Sequence, residues 1–183
     1  QRFPKIGFSF NSCTYYSLQQ EFQSGITNLA FLITDTFQAT NLETEILLTL
    51  PLVIVAHPGH RLTSQRNIRI QDVKDELILL PKEDCSYRMM FEQIATREKI
   101  EPATIINFNS IEAIKQCIMT GTGITVIPEI AVKKEVADGL LAVLPWKGKQ
   151  LTAKLWMIWH KEKWISPTLK AFMDMVREGI TSS

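Results

Sequence analysis

Three short polar turns hold the residues of this chain that could do chemistry. The densest is Asp84-Cys85-Ser86-Tyr87-Arg88, which puts a thiol, a hydroxyl, a phenol and a guanidinium side by side. A cysteine at a helix start, three residues before an arginine, sits where a thiol pKa falls and the sulfur becomes reactive. Redox switching needs a partner thiol, however. Cys117 falls mid-helix on an apolar face and Cys13 is distant in sequence, so a ligand-lining or packing role for Cys85 is the stronger reading. Arg88 occupies the first turn of its helix, where the helix dipole disfavours a cation. A small bound anion, such as a carboxylate, would offset that repulsion; the plainer alternative is a solvated arginine beside residues that only cap helices. The other two turns are Asn11 to Tyr15, with Ser12, Cys13 and Thr14, and Phe108 to Ile111, with Asn109 and Ser110. Each follows an expected strand. In open α/β sheets ligands sit beyond the carboxyl ends of strands, where helix N-termini offer free amides.

Other constellations carry less. Gly121-Thr122-Gly123 follows a helix rather than a strand, and no GxxxxGK[ST] occurs, so this is a structural turn and not a phosphate loop. His57 and His60 share one turn without the cysteines or carboxylates of a metal site, and read as loop residues at a crossover. His160 reads as a capping or packing residue. Trp146, Trp156, Trp159 and Trp164 have no basic groove beside them, which favours core or interface packing over base stacking. No credible nucleophile and base pair stands out, so the chain is expected to be neither an enzyme nor a metal or cofactor protein. A formal net charge of +1 gives no broad attraction to nucleic acid, and 45% hydrophobic residues suffice for a sizeable core. Three cysteines form no disulfide or zinc pattern, which points to a reducing compartment, the cytoplasm by default. No apolar run approaches the roughly 20 residues that span a bilayer.

The elements that must position these turns alternate between strand and helix. Phe3 to Phe10 alternates as a half-buried strand, Tyr15 to Ser24 is a short helix stopped by Gly25, and Asn28 to Asp35 reads as a strand covered on both faces. Glu43 to Leu62 reads as strand, bend at Pro51, strand and turn. A helical turn near Asp72 to Asp75 precedes a strand at Leu77 to Leu80. A helix then presents Tyr87, Met90, Phe91, Ile94 and Ala95 inward, and Ala103 to Phe108 is the next strand. Asn109 is the expected N-cap of the following helix, with Glu112 completing a capping box and Ile111, Ile114, Cys117 and Ile118 as its apolar face. Gly121 stops that helix, and Ile124 to Ile127 is a buried strand closed by Pro128. A short helix at Ile130 to Ala137, strands at Leu140 to Leu144 and Leu151 to His160, and a helix capped by Ser166 with Pro167 at its first position complete the chain. This alternation predicts an α/β protein with largely parallel sheets. The turns His57 to Ser64 and Trp146 to Gln150 bracket a middle block, which suggests two lobes with a ligand cleft between them.

SIEAIKQCIMTGTGITVIPEIAV resembles the effector-domain signature of LysR-type transcriptional regulators, in which a helix ending in small-Gly-x-Gly runs into an apolar strand and a proline. NLAFLI is similar to the family's D-L-A-I strand, LVIVAHPGHRL to its L-V-x-V-x-P-x-x-H-P-L strand and turn, and ELILLPKEDCSYR to its second-lobe entry. LWMIWHKEKWISPTLKAFMDMVRE matches the closing strand and helix, so the likeness runs over essentially the whole chain. Asn28 stands where the family has Asp, and Arg61 where it has Pro. The resemblance implies a periplasmic-binding-protein-like (type 2) fold of two α/β lobes joined by two crossovers, with the family's first strand and helix lacking ahead of the segment Gln1 to Pro4. Residues 1–60 and 150–183 would form lobe I and residues 61–149 lobe II. The effector cleft would map to Ser12, Cys13 and Thr14, to Thr34 and Asp35, to Cys85, Ser86, Tyr87 and Arg88, and to Phe108, Asn109 and Ser110. The family's peroxide sensors need a second cysteine where this chain has Ile94. The implied partners are a small, anionic effector, a second copy or more of the chain in a homodimer or homotetramer, and RNA polymerase. DNA would be bound only through an N-terminal winged helix-turn-helix absent from this chain. A transporter's solute-binding protein, which shares the fold, is the alternative.

Overall fold

The computed structural model describes residues 7–12, 14, 16–82, 85–101, 104–148 and 151–181. In chain order the elements are α1 (Leu18–Gln23), β1 (Leu29–Thr34), β2 (Leu42–Ala56), β3 (Leu77–Pro81), α2 (Ser86–Arg97), β4 (Thr104–Phe108), α3 (Ile111–Met119), β5 (Ile124–Pro128), α4 (Lys133–Ala137), β6 (Ala142–Val143), β7 (Thr152–His160) and α5 (Pro167–Thr181). Turns of 3-10 helix lie at Arg61–Ser64, Ile70–Val73 and Glu129–Ala131. Most of the expected elements are present. The segment expected as a strand from Phe3 to Phe10 falls partly outside the described residues, and Gly7 to Phe10 is not in a sheet; Phe8 and Phe10 stay exposed, with Phe8 against the ring of Phe172.

The strands run in the order β1-β7-β2-β5-β3-β4, with β6 added to β2. Among the described strands only β3–β4 and β3–β5 are parallel; β1–β7, β2–β7, β2–β5 and β2–β6 are antiparallel. The expectation of largely parallel sheets is therefore corrected. The cause is β2, which runs antiparallel to β7 over its first part and to β5 over its last and so brings reversed strands into both halves of the sheet. A second correction concerns Pro51. No bend divides the strand there: β2 continues through it for 15 residues and changes partners instead. Leu42 to Pro51 pairs with β7, and Leu52 to Ala56 pairs with β5. A proline lacks an amide donor, so the point of partner exchange is where its cost to the ladder is least. The next amide, Leu52 N–H, donates to the Leu151 carbonyl at 2.8 Å.

The core divides accordingly. One cluster joins Leu52, Ile54, Ile78, Leu80, Tyr87, Phe91, Ile124 and Val126, burying the inner face of α2 as its spacing predicts. A second packs Ile114 and Ile118 of α3 on Val55, Leu79 and Ile127, and a third packs Leu18 and Phe22 of α1 on Ala30, Leu32 and Ile158. Each fully buried aliphatic or aromatic side chain contributes about 1.5–3 kcal/mol. Trp146, Trp156 and Trp159 are partly buried, but Trp164 is 81% exposed and belongs to no core.

The expected face of α3 packs against the core at Ile114, Cys117 and Ile118 but not at Ile111, and it includes a lysine. Ile111 is 37% exposed, while Lys115 is 7% exposed. Its ammonium reaches Glu135 of α4 at 2.7 Å, Glu112 at 2.9 Å and the Ala131 carbonyl at 3.2 Å, so the charge is enclosed only because it is matched. The pairing raises the Lys115 pKa above 10.5, through the hydrogen bonds its ammonium donates to Glu135 and Glu112, and lowers that of Glu135 below 4.5, chiefly through Lys115. Glu135 therefore adds stability above its unfolded value that is lost as pH falls through its folded one. Lys115 adds stability below its own unfolded value that is lost as pH rises through its folded one. Lys115→Met is expected to flatten both limbs of a denaturation-midpoint profile against pH; limbs that survive the substitution would assign them to other groups.

Candidate functional site

The carboxyl ends of the parallel strands β3 and β4 define one edge where two of the three polar turns meet. In register, Leu80 stands opposite Asn107 and Pro81 opposite Phe108. The chain leaves β3 toward α2 and leaves β4 toward α3, so both helix N-termini open on this edge. Arg88 links the two. Its Nη1 donates to the Pro81 carbonyl at 2.7 Å and to Asn107 Oδ1 at 2.6 Å, and its Nε donates to Glu92 Oε1 at 2.7 Å. At 5% exposure it is not the solvated arginine of the plainer reading. The dipole repulsion expected at the start of α2 is offset by Glu92, one turn on, and by the two oxygens at the strand ends. Asn107 and Glu92 were not among the sequence candidates, although signals existed: Glu92 lies at i+4 from Arg88, and Asn107 is the one polar side chain between apolar neighbours near the end of β4.

At the start of α3 the cap is Ser110, not Asn109. Ser110 is extended, at φ −141 and ψ 127, and its Oγ accepts from Ala113 N–H at 3.4 Å. Glu112 turns to Lys115 rather than back to form a capping box. With Ser110 as the cap, the Asn109 amide is left uncommitted. It is exposed, two residues on from the Asn107 that Arg88 holds, and engaged in no hydrogen bond among the described residues. Phe108 is half-buried against the α3 cluster.

At the start of α2, Cys85 is the N-cap in extended conformation, without a capping bond from its sulfur. It is hydrogen-bonded to Tyr87, whose hydroxyl pKa is pushed far above its ordinary 10.0, first by burial and then by Cys85. Ser86 is 6% and Tyr87 5% exposed, so both serve packing as much as any cleft. Ile33, at the end of β1, packs with Cys85 on the same cluster, which brings the neighbouring Thr34 and Asp35 toward α2. Thr34 is buried, donates from Oγ1 to the Thr36 carbonyl at 3.1 Å, and accepts at its own carbonyl from Trp156 Nε1 at 3.0 Å. Asp35 is exposed, and its Oδ1 accepts from Thr36 N–H at 2.8 Å. Ser12 is exposed and Cys13 lies outside the described residues. Thr14 is held locally: its Oγ1 accepts from Ser17 N–H and its own N–H donates to Ser17 Oγ, both at 3.0 Å, a reciprocal pair in the turn that leads into α1.

The glycines and histidines are architecture. Gly121 has φ +85, with Thr122 N–H donating to the Cys117 carbonyl and Gly121 N–H to that of Ile118, the paired bonds of a Schellman stop. A Cβ on Gly123 would stand 2.2 Å from the Leu77 carbonyl oxygen, so β5 can approach β3 only without one. His60 Nδ1 accepts from Leu62 N–H at 3.3 Å and its Nε2 lies 3.1 Å from Glu76, which also pairs with Arg61. Gly59 N–H donates to His57 Nδ1 at 3.0 Å, and His160 Nδ1 accepts from Glu162 N–H at 3.1 Å. Among the described residues no cluster of histidine, cysteine and carboxylate side chains could hold a metal, and no helix is long and apolar enough to cross a membrane.

A family model described as LysR substrate binding domain matches residues 1–181. Among curated relatives, the HTH-type transcriptional regulator YwqM of Bacillus subtilis (strain 168) is 33% identical over 97% of this chain and 60% of its own length. The RuBisCO operon transcriptional regulator of Acidithiobacillus ferrooxidans is 34% identical over 68% of this chain and 40% of its own. The chain thus spans about half the length of these relatives. Among solved structures, the regulatory domain of CcmR from Synechocystis PCC6803 in complex with 2-PG superposes with a TM-score of 0.84 at 22% identity, covering 98% of this chain and 86% of that one. The effector binding domain of QuiR in complex with shikimate gives 0.79 at 21% identity, covering 100% and 85%. At these identities the superpositions speak for the fold.

Proposed function

The chain belongs to the LysR substrate-binding domain family, a family of transcriptional regulators and not of enzymes, and on that premise we propose that it senses a small anionic effector at the edge formed by β3, β4, α2 and α3. The observation that carries the reading is Asn109. Capping by Ser110 leaves its amide exposed at the start of α3, next to an arginine clamp that fixes both strand ends. A rigid frame with one uncommitted polar side chain is a suitable first contact for a ligand. Cys85 belongs to the same edge as the N-cap of α2, Thr34 and Asp35 would approach it through the packing of Ile33, and Ser12 to Thr14 would complete the cleft. The chain up to Pro51 with residues 150–183 would form one lobe and residues 52–149 the other: the exchange of partners in β2 at Pro51 and Leu52 supports a hinge there rather than at residue 60. Effector binding biases the lobes toward one relative orientation or rigidifies them. In the whole protein that shift acts on a homodimer or homotetramer, on DNA held through a separate N-terminal domain, and on RNA polymerase, in the cytoplasm. The ligands named for CcmR and QuiR, 2-PG and shikimate, support a small acid as effector here too. A transporter's solute-binding protein would share the fold, but the curated relatives are regulators of transcription.

A thermal-shift screen of small carboxylates and inorganic anions should find one that raises the melting temperature, because binding only to the native state stabilises it. Asn109→Ala should then weaken that ligand about tenfold, the worth of one hydrogen bond, and leave the melting temperature of the free protein where it was. Unchanged affinity would remove Asn109 from the site.

A further inference from the structure

A separate cavity of about 450 Å³ lies at the opposite end of α2. Arg97 lines it, nine residues along the helix from Arg88 and hence roughly 14 Å away along the axis. Its walls come from three places: the last turns of α2, the 3-10 turn at Ile70–Val73, and the segment Trp146 to Gly148 that leads toward β7. Ile70, Ile94 and Trp146 give it an apolar floor, continuous with the core cluster around Phe91. The backbone that carries the indole is held firmly. A backbone bridge pairs Ile68 with Trp146, Ile68 N–H donates to the Pro145 carbonyl, and Lys147 N–H donates to the Ile68 carbonyl. On Gly148 a Cβ would stand 2.5 Å from the indole ring, so the chain folds against the ring there.

Around this floor stand Arg69, Arg97 and Lys147, all exposed, against a single carboxylate, Glu98. The excess is local, since the whole chain carries only +1. Arg97 alone could be explained by the negative end of the α2 dipole. Arg69 and Lys147 come from other segments, and neither Arg97 nor Lys147 forms an ion pair with a described residue. An aromatic and aliphatic floor with converging cations, in a volume suited to a small molecule, fits a planar organic anion. We infer that this cavity is a second ligand site, for an aromatic carboxylate whose ring lies on Trp146 and Ile94 and whose carboxylate meets Arg97 and Lys147. It does not depend on the cleft reading above. Its occupant would brace the segment through which β7 is entered, which gives it a route to the crossover between the two halves of the sheet.

The test is calorimetric titration of this chain with 2-naphthoate, and with 2-naphthalenemethanol as the uncharged control. The wild type should bind the acid saturably at millimolar concentration or below, and the alcohol more weakly. Arg97→Gln with Lys147→Gln, both at exposed positions, should weaken the acid about tenfold or more, as loss of charge-assisted hydrogen bonds implies, with the melting temperature unchanged. Asn109→Ala should leave this binding intact. Absence of saturable binding overturns the proposal. So does an affinity that survives the double substitution, or one abolished by Asn109→Ala, which would place the acid in the cleft.

Discussion

Arg88→Met is expected to destabilise the native state by about 3 kcal/mol, because it removes three hydrogen bonds from a buried guanidinium, to the Pro81 carbonyl, the Asn107 amide oxygen and Glu92. The side chain is 6% exposed and makes three hydrogen bonds of 2.7 Å or less. For a domain of this size the melting temperature should fall by roughly 9 °C. Glu92 is 36% exposed and can regain water, which keeps the loss at the lower end of the range for broken buried pairs. Arg88→Lys should recover only part, since an ammonium cannot reproduce the fork that spans Pro81 and Asn107. A melting temperature within a degree of wild type in Arg88→Met would show that these bonds do not hold the strand ends. The expected result also bears on any effector titration: weaker binding in an Arg88 variant would follow from a displaced frame as readily as from a lost contact. Asn109, exposed and uncommitted, is the residue whose substitution separates the two.

Gly123→Ala carries the other large effect. Its Cβ would lie 2.2 Å from the Leu77 carbonyl oxygen and 3.1 Å from Leu77 Cβ, and backbone cannot swing aside as a flexible side chain can. β5 would have to move from β3 at the one register pair they share, Ile78 with Ile124, next to the fully buried strand Ile124–Pro128. Overpacking of this kind costs about 3 kcal/mol, with loss of soluble expression as the extreme outcome. Gly121→Ala is the control. That position has open space for a Cβ but φ +85, so its cost is about 1 kcal/mol of backbone strain. Urea denaturation of the two variants should rank Gly123 well above Gly121; equal or reversed effects would mean that the sheet relaxes around the added methyl.

Local chemistry made several elements readable without coordinates. The stop of α3 follows from Gly121, where only a residue free of Cβ enters the left-handed region at no cost. The start of α5 follows from Ser166 and Pro167, and Ser166 Oγ does accept from Leu169 N–H at 3.1 Å. The inner face of α2 follows from the spacing of Tyr87, Phe91 and Ala95, all buried. The same logic erred by one residue at Asn109, because Asn and Ser are both good caps and only the backbone path out of β4 selects between them.

By itself, then, the sequence determined where most helices and strands lie, that the chain is α/β with polar turns after its strands, and which family it resembles, because these depend on contacts within a few residues. Only the tertiary structure decided the direction of most strand pairs, the continuity of β2 through Pro51, the enclosure of Lys115, and the commitment of Arg88 to Asn107 and Pro81. Each of those rests on partners far along the chain: β7 for β2, Glu135 for Lys115, β4 for Arg88. A buried charge cannot be read from its neighbours in sequence when the group that neutralises it arrives from another element. That is why the three polar turns could be found in the sequence, while the division of their residues into frame and free contact could not.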